Sequence, residues 1–239
     1  MVGVIADIEE AGLLRQFKET VVDLKQDDEA LIRFLRARNH DLNKAEEMIR
    51  GAMEWRQQVG IDSCLKWEFP EYYQSEMAYK FYGKDREGSP NLWVFVGKWN
   101  GKMLVDNGEG ENLLRWAFAM IEQGLIVVKE SNKQGNVIVD LQGLSYSQAT
   151  HIASLKLFYH GCQKIEQCYP EIIKSVTIIN APWVFTLGFN FIKGIITRKT
   201  MEKIKILGCH KDEWMAELQS KMPNSSIAPE LAPKDVNGN

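Results

Sequence analysis

The chain has 239 residues, 45% of them hydrophobic and 26% charged, with a net charge of −3. That is the profile of a soluble globular protein long enough to bury a sizeable core, as one large domain or as a small one beside a medium one. The charge balance excludes broad nucleic-acid binding, and no apolar run reaches the ~18 residues that a membrane span needs.

The opening residues, MVGVIADIEE, have no basic n-region, no adequate apolar stretch and no Gly at position 2, so neither a secretion signal nor myristoylation is expected. Residues 4–24 place Ile8, Ala11, Phe17, Val21 and Leu24 at helical spacing and read as an amphipathic helix. Asp27-Asp28 starts a second helix with Leu31, Phe34 and Leu35 on its buried face. Asp41 is an N-cap for a third, whose stripe is Ala45, Met48, Ile49, Ala52 and Val59 and whose stop is Gly60. Residues 1–75 therefore form an all-helical module. Trp67, Phe69, Pro70, Tyr72 and Tyr73 make an aromatic connector to the rest of the chain.

From residue 76 to 222 strands alternate with helices, which argues for an α/β fold on a parallel or mixed sheet. Asp85-Arg86-Glu87-Gly88 is a turn, and Leu92–Val96 a strand. Residues 111–130 are a helix, Val137-Ile138-Val139 a central strand, and 147–168 another helix. The β-branched run Val176–Ile179 reads as a buried strand. After Asn180-Ala181-Pro182 comes a segment with apolar residues around most of a helix, from Trp183 to Ile196, so nearly every side needs cover. Then the character flips to Thr197-Arg198-Lys199-Thr200, and a last strand, Ile204–Leu207, ends at Gly208. A strand, an apolar helix, a basic loop and a strand suggest a lid over an apolar cavity. The polar, Pro-containing tail 223–239 is expected to fray.

Catalytic patterns are sparse. Gly108-Glu109-Gly110 lacks the third glycine of a nucleotide loop, no Walker motif or G-x-S-x-G occurs, and no enzyme activity is expected. Asp140 ends a strand, where α/β catalytic residues often sit, but capping of the turn at Leu141-Gln142-Gly143 is the simpler role. The histidines (His40, His151, His160, His210) have no metal-ligand spacing, and Tyr159-His160 would ligate haem only if it faced a cavity. No metal and no cofactor are expected. The cysteines, Cys64, Cys162, Cys168 and Cys209, form no C-x-x-C pair and read as reduced, buried thiols. Lys193, Arg198, Lys199, Lys203 and Lys205, opposed only by Glu202, form either a solvated face or an anion-binding surface. Near an anionic bilayer each basic residue contributes about 1 kcal/mol.

In order, Tyr169-Pro170-Glu171, IINAP (178–182) and KIKILG (203–208) resemble the CRAL-TRIO lipid-binding family, in its phosphatidylinositol-transfer-protein-like branch. DDEALIRFLRARNHDLNKAEEMIRGAMEWR (27–56) is similar to the helical module that precedes the family's lipid-binding domain. GKDREGSPNLWVFVG (83–97) and NVIVDLQGLS (136–145) are similar to its first hairpin and central strand, so the likeness covers about residues 27–222. It implies a mostly parallel sheet flooring a hydrophobic pocket, with Val94, Val137, Val139, Val176 and Ile178 on the floor. The lid would carry Phe185, Phe189, Ile192 and Ile195, which share one helix face. It implies a headgroup site of Arg38, Glu171, Thr200 and Lys203.

Three positions depart from the branch. Ile172 stands where it has an Arg after the Glu, and Gly135 and Val137 replace its choline-phosphate Ser and Thr. The Pro-x-x-[Tyr/Phe]-Gly-Gly ending is also absent, so a final brace is expected to be missing. The implied protein is a cytoplasmic, peripherally membrane-associated carrier whose partners are a phospholipid or other hydrophobic ligand and an anionic membrane surface. Two alternatives stay open: a carrier of a tocopherol, retinoid, sterol or carotenoid, and a lipid-sensing module for a lipid kinase or small GTPase.

Overall fold

A computed structural model describes residues 8–232. The first helix, α1 (Ile8–Thr20), buries Leu14 and Phe17 together with the carboxylate of Glu10, whereas Ile8 points to solvent. Residues 4–7 of the expected helix lie outside the described residues. In α2 (Asp28–Ala37) the Asp27 side chain accepts from the Ala30 amide at 2.7 Å, and in α3 (Leu42–Val59) Asp41 does the same for Lys44 at 3.1 Å. Each satisfies one of the free donors of a first turn. Gly60 ends α3 at φ +67°, in the left-handed region where a Cβ would be strained. The apolar faces of α1–α3 close on one another, except that Val59 is exposed at the helix end. The aromatic connector runs through α4 (Tyr72–Glu76), where Phe69 and Tyr73 stack against Trp116.

The sheet begins after this connector. Strand β1 (Tyr79–Lys84) pairs antiparallel with β2 (Pro90–Val94), which starts two residues before the expected strand and ends two residues earlier because the chain winds into a 3₁₀ turn at Val96–Lys98. Helices α5 (Gly101–Asp106) and α6 (Gly110–Ser131) lead to the central strand β3 (Gly135–Asp140). The helix expected over 147–168 is two: α7 (Tyr146–Ala149), opened by a capping box between Ser145 and Gln148, and α8 (Ile152–Cys168). Thr150 and His151 break them apart, with His151 extended at the cap position of α8. Then come β4 (Ile173–Ile179), the lid helix α9 (Phe185–Ile192), the single turn α10 (Arg198–Met201), β5 (Ile204–Ile206) and α11 (Lys211–Lys221).

The five strands lie in the order β1-β2-β3-β4-β5, and all pairs after the first are parallel. Crossovers between parallel neighbours are right-handed as a rule, which puts the connecting helices on one face. The opposite face carries Trp93, Ile138 and Ile179 against Trp214, Met215 and Leu218 of α11. Ile227, Ala228 and Leu231 are buried in that same cluster, so residues 223–232, expected to fray, instead close the far face of the sheet. Gly83, at φ +72°, makes room for them: a Cβ there would lie 2.5 Å from Ser226. A brace is therefore present without the Gly-Gly ending. Residues 233–239 of the expected tail lie outside the described residues.

Candidate functional site

Side chains alternate across a strand, so the strand register decides which ones share a face. One face carries the rows Leu92, Val137, Val176, Ile204 and Val94, Val139, Ile178, Ile206. All five residues expected on the floor fall on it, turned toward the helical layer. Val94 and Ile178 are buried, while Val137, Val139 and Val176 are only half-buried.

The lid helix α9 lies over α7 and α8. A Cβ on Gly188 would meet Leu155 at 3.3 Å and the Ala149 carbonyl at 3.4 Å, so a glycine lets the lid settle on the α7–α8 junction. Phe185 and Phe189 stack with ring centroids 5.3 Å apart, and Ile192 is buried. The helix stops there. Ile195 lies beyond its end, so the shared face runs only from Phe185 to Ile192. The other side of the lid is unexpectedly apolar and open, with Trp183 73%, Leu187 45% and Phe191 44% exposed. Tyr146, Ile152 and Phe158 of α7 and α8 are exposed as well, with Tyr146 6.2 Å from Trp183, centroid to centroid.

Arg38, Glu171, Thr200 and Lys203, four residues from three distant segments, line one cavity of about 550 Å³. Arg38 follows α2 in a bend where Asn39 and His40 both have positive φ. Two acids near it in sequence are engaged elsewhere, Asp41 with Lys44 at 2.9 Å and Glu46 with Arg50 at 2.8 Å. Glu171 sits at φ +57° on the turn after Tyr169-Pro170. Lys199 lies 2.6 Å from its Oε1, and Lys203 lies 3.4 Å from its Oε2. Burial pushes the Glu171 carboxyl up, but the two ammonium groups outweigh it and hold the group below its ordinary value. Lys203 also donates to the Ile173 carbonyl at 2.8 Å. Thr200 hydrogen-bonds Thr197, which caps α10. Chemically the cavity offers ammonium and guanidinium groups for a phosphate and carboxylate and hydroxyl oxygens for a polyol.

The basic run expected to act as one surface is split by the fold. Lys199 and Lys203 line the cavity, as does Arg198, which is paired with Glu202 at 2.9 Å, whereas Lys205 reaches Glu217 of α11 at 2.5 Å. Lys199, the cation nearest Glu171, was absent from the expected headgroup set. The position of Tyr169 is also built: its hydroxyl donates to Glu122 at 2.6 Å, and Glu122 takes Arg56 from α3 at 2.6 Å. Asp140 is a turn cap, its Oδ1 accepting from the Gln142 amide and from Asn180. His160 is exposed, its ring beside that of Tyr159. Cys64 and Cys168 are buried, Cys162 is half-buried, and Cys209, contrary to expectation, is exposed.

A signal for the open apolar face was present in the sequence. Residues 141–165 and 172–201 contain no Asp or Glu, where the chain's 32 acids would place about seven, and they carry Lys156, Lys164, Lys174, Lys193, Arg198 and Lys199. No helix among the described residues is long and apolar enough to cross a membrane.

A five-stranded, mostly parallel sheet with its crossover helices, a lid and a charged cavity beside a preceding helical module defines the class. Residues 74–231 match the CRAL/TRIO domain and residues 5–51 the CRAL/TRIO N-terminal domain, and the chain belongs to that family. It is similar to the Sec14 cytosolic factor of Schizosaccharomyces pombe (30% identity over 221 residues, 86% of this chain and 74% of that one). It is also similar to the phosphatidylinositol/phosphatidylcholine transfer protein SFH9 of Arabidopsis thaliana (29% over 222 residues, 85% and 38%) and the Protein real-time of Aedes aegypti (26% over 219 residues, 86% and 34%). The chain thus spans only about a third of the length of several curated relatives. Among solved structures, the crystal structure of Sfh5 superposes with a TM-score of 0.64 at 18% identity, over 75% of this chain and 64% of that one, a likeness of fold.

Proposed function

We propose that the chain binds a phospholipid, phosphatidylinositol first, between the sheet and the lid, and transfers or presents it between membranes. The observation that carries this reading is the convergence of Arg38, Glu171, Thr200 and Lys203 on one cavity. The relatives' names support the same reading, since one is a phosphatidylinositol/phosphatidylcholine transfer protein. The role is binding rather than catalysis. Gly135 and Val137 offer no hydroxyl at the start of β3, so a choline-phosphate mode is not proposed.

The physical task is solubility. Each buried CH₂ is worth about 0.8 kcal/mol, so a two-chain lipid barely enters water unaided. The apolar sheet face substitutes for the bilayer, and the phosphate meets Arg38 and Lys203. Exchange takes place at an anionic membrane surface, met by the exposed apolar side of the lid carrying Trp183, Leu187 and Phe191, with the lid opening there. The protein is on this reading cytoplasmic and peripheral to the membrane. A lipid kinase or small GTPase served by a lipid-sensing module remains the second role for the same site. An apolar cargo such as a tocopherol, retinoid, sterol or carotenoid is the alternative that Ile172 favours.

The test is organic extraction and mass spectrometry of the purified protein, followed by reloading from mixed liposomes. Phosphatidylinositol near one per chain, with loading lost in Lys203→Ala, supports the reading. Uptake of a small isoprenoid alone overturns it.

A further inference from the structure

The connection between the lid and β5 is tied to the helical module through the Lys199 ammonium group. Lys199, in α10, lies 2.6 Å from Glu171 Oε1 and donates to the Arg36 carbonyl at 3.2 Å. The three segments involved are the last turn of α2 in the helical module, the Tyr169-Pro170-Glu171 turn of the sheet domain, and the chain leaving the lid. Lys203 does not duplicate this tie. Its second contact, the Ile173 carbonyl, begins the neighbouring strand β4, so both its anchors belong to the sheet domain.

We propose that Lys199 is a latch that fastens the exit of the lid to the helical module, and that a phosphate group entering the cavity opens it by drawing Lys199 away. This inference rests on the lipid-carrier reading and adds its regulation. Lys199 and Lys203 are shared by one carboxylate, so a phosphate oxygen in the same cavity competes with Glu171 directly. The lysine stem is long and flexible enough to change partners, and its side chain is half-exposed. The Arg36 carbonyl is at the C-terminal end of α2, where a cation is favoured, and it also accepts from the Asn39 amide at 3.3 Å. When Lys199 turns to the phosphate, that carbonyl loses its ammonium and α10 loses its hold on the helical module. Give is available upstream: Gly194 lies just past the lid, and a Cβ built on it would meet nothing within 4 Å. Cargo headgroup and lid are then linked by competition for one side chain, the differential interaction that a ligand-driven shift requires.

Amide hydrogen exchange on the full chain tests both parts. In Lys199→Ala, exchange over residues 185–201 should rise about tenfold while α3 and the central strand stay as in the parent, and Lys199→Arg should restore protection. Unchanged protection in Lys199→Ala overturns the latch. Should that variant fail to fold, Lys199→Gln takes its place, keeping a donor for Arg36 but no charge for Glu171. The second part uses the parent protein with inorganic phosphate, with chloride of equal ionic strength, and with phosphatidylinositol or phosphatidylcholine vesicles. Faster exchange over 185–201 with inorganic phosphate shows a latch answering any phosphate, and faster exchange with phosphatidylinositol vesicles alone shows one answering the lipid headgroup. No acceleration with either overturns the opening step. Failure of the carrier reading is a separate result, absence of lipid uptake by the parent, which the variant and inorganic-phosphate arms do not depend on.

Discussion

Replacing Glu122 by Leu strikes the contact that holds the headgroup turn to the helical module. Glu122 accepts from Arg56 at 2.6 and 3.2 Å and from the Tyr169 hydroxyl at 2.6 Å, with its own side chain 12% exposed and that of Arg56 16%. Removing one partner of a buried pair costs about 3–5 kcal/mol, because the other charge is left uncompensated. Asp62, exposed but 2.6 Å from Arg56, keeps that charge partly paired and points to the lower end of the range, about 3 kcal/mol. For a chain of this size that is a fall in Tm of roughly 6–12 °C. Burial pushes the Tyr169 phenol up and Glu122 reinforces the shift, so Tyr169 remains a donor throughout the accessible pH range and is itself orphaned by the change. The assay is urea unfolding followed by Trp fluorescence, with Arg56→Met/Glu122→Leu alongside. Removing both charges should cost less than Glu122→Leu alone, leaving mainly the unpartnered hydroxyl at about 1–3 kcal/mol. A loss below about 1 kcal/mol in the single variant, or a double variant as poor as the sum of its parts, refutes the reasoning.

Gly97→Ala should cost about 2–3 kcal/mol or prevent folding, since its Cβ would lie 2.2 Å from the Gln142 carbonyl oxygen, and the midpoint of denaturant unfolding reads it. Glu171 has a lowered folded-state pKa, so its contribution to stability is complete above the ordinary carboxyl value of 4.5 and disappears as pH falls through the lowered one; Glu171→Gln should flatten the acid limb of a stability-versus-pH curve, and an unchanged slope counts against the pairing with Lys199 and Lys203. Burial pushes the thiols of Cys64 and Cys168 up to about 11 and that of Cys162 up to about 12, so a thiol reagent at neutral pH should modify Cys209 first, and peptide mapping that finds Cys162 first contradicts the packing. Trp183→Asp should weaken sedimentation with anionic vesicles several-fold while leaving lipid loading intact, whereas Phe189→Asp on the inward side should reduce transfer.

The fold was legible where one residue type does one local job. Asp27, Asp41 and Gly60 mark helix ends by capping chemistry that depends only on neighbours, and β-branched runs mark β3 and β4. That Val94, Val137, Val139, Val176 and Ile178 share one sheet face was legible because a strand's period is two and a correct register carries the rest. What escaped depends on distant partners. The break at Thr150-His151 interrupts a run whose apolar content continues past it, and the tail is polar at its surface yet places Ile227, Ala228 and Leu231 on the sheet. Lys205 and Lys199 look alike in sequence, but strand alternation sends one to α11 and helical winding sends the other to Glu171. In the charged cavity the likeness to a family named Arg38, Glu171, Thr200 and Lys203, whereas the basic run that contains Lys199 does not single it out from its neighbours.

The sorting of charge along the chain has a practical result that its isoelectric point of about 5.9 conceals. With no carboxylate in residues 141–165 or 172–201, all 32 acids fall on the remaining segments, and charge is unevenly sorted along the chain. A surface that gathers acid-free segments meets an acidic sheet of charge with less repulsion than the rest of the chain does, a preference that fades as salt shortens the range of the field. On a chromatography bench the same asymmetry means retention at neutral pH on both an anion and a cation exchanger at low ionic strength, with release from the cation exchanger marking the strength of the lid side alone.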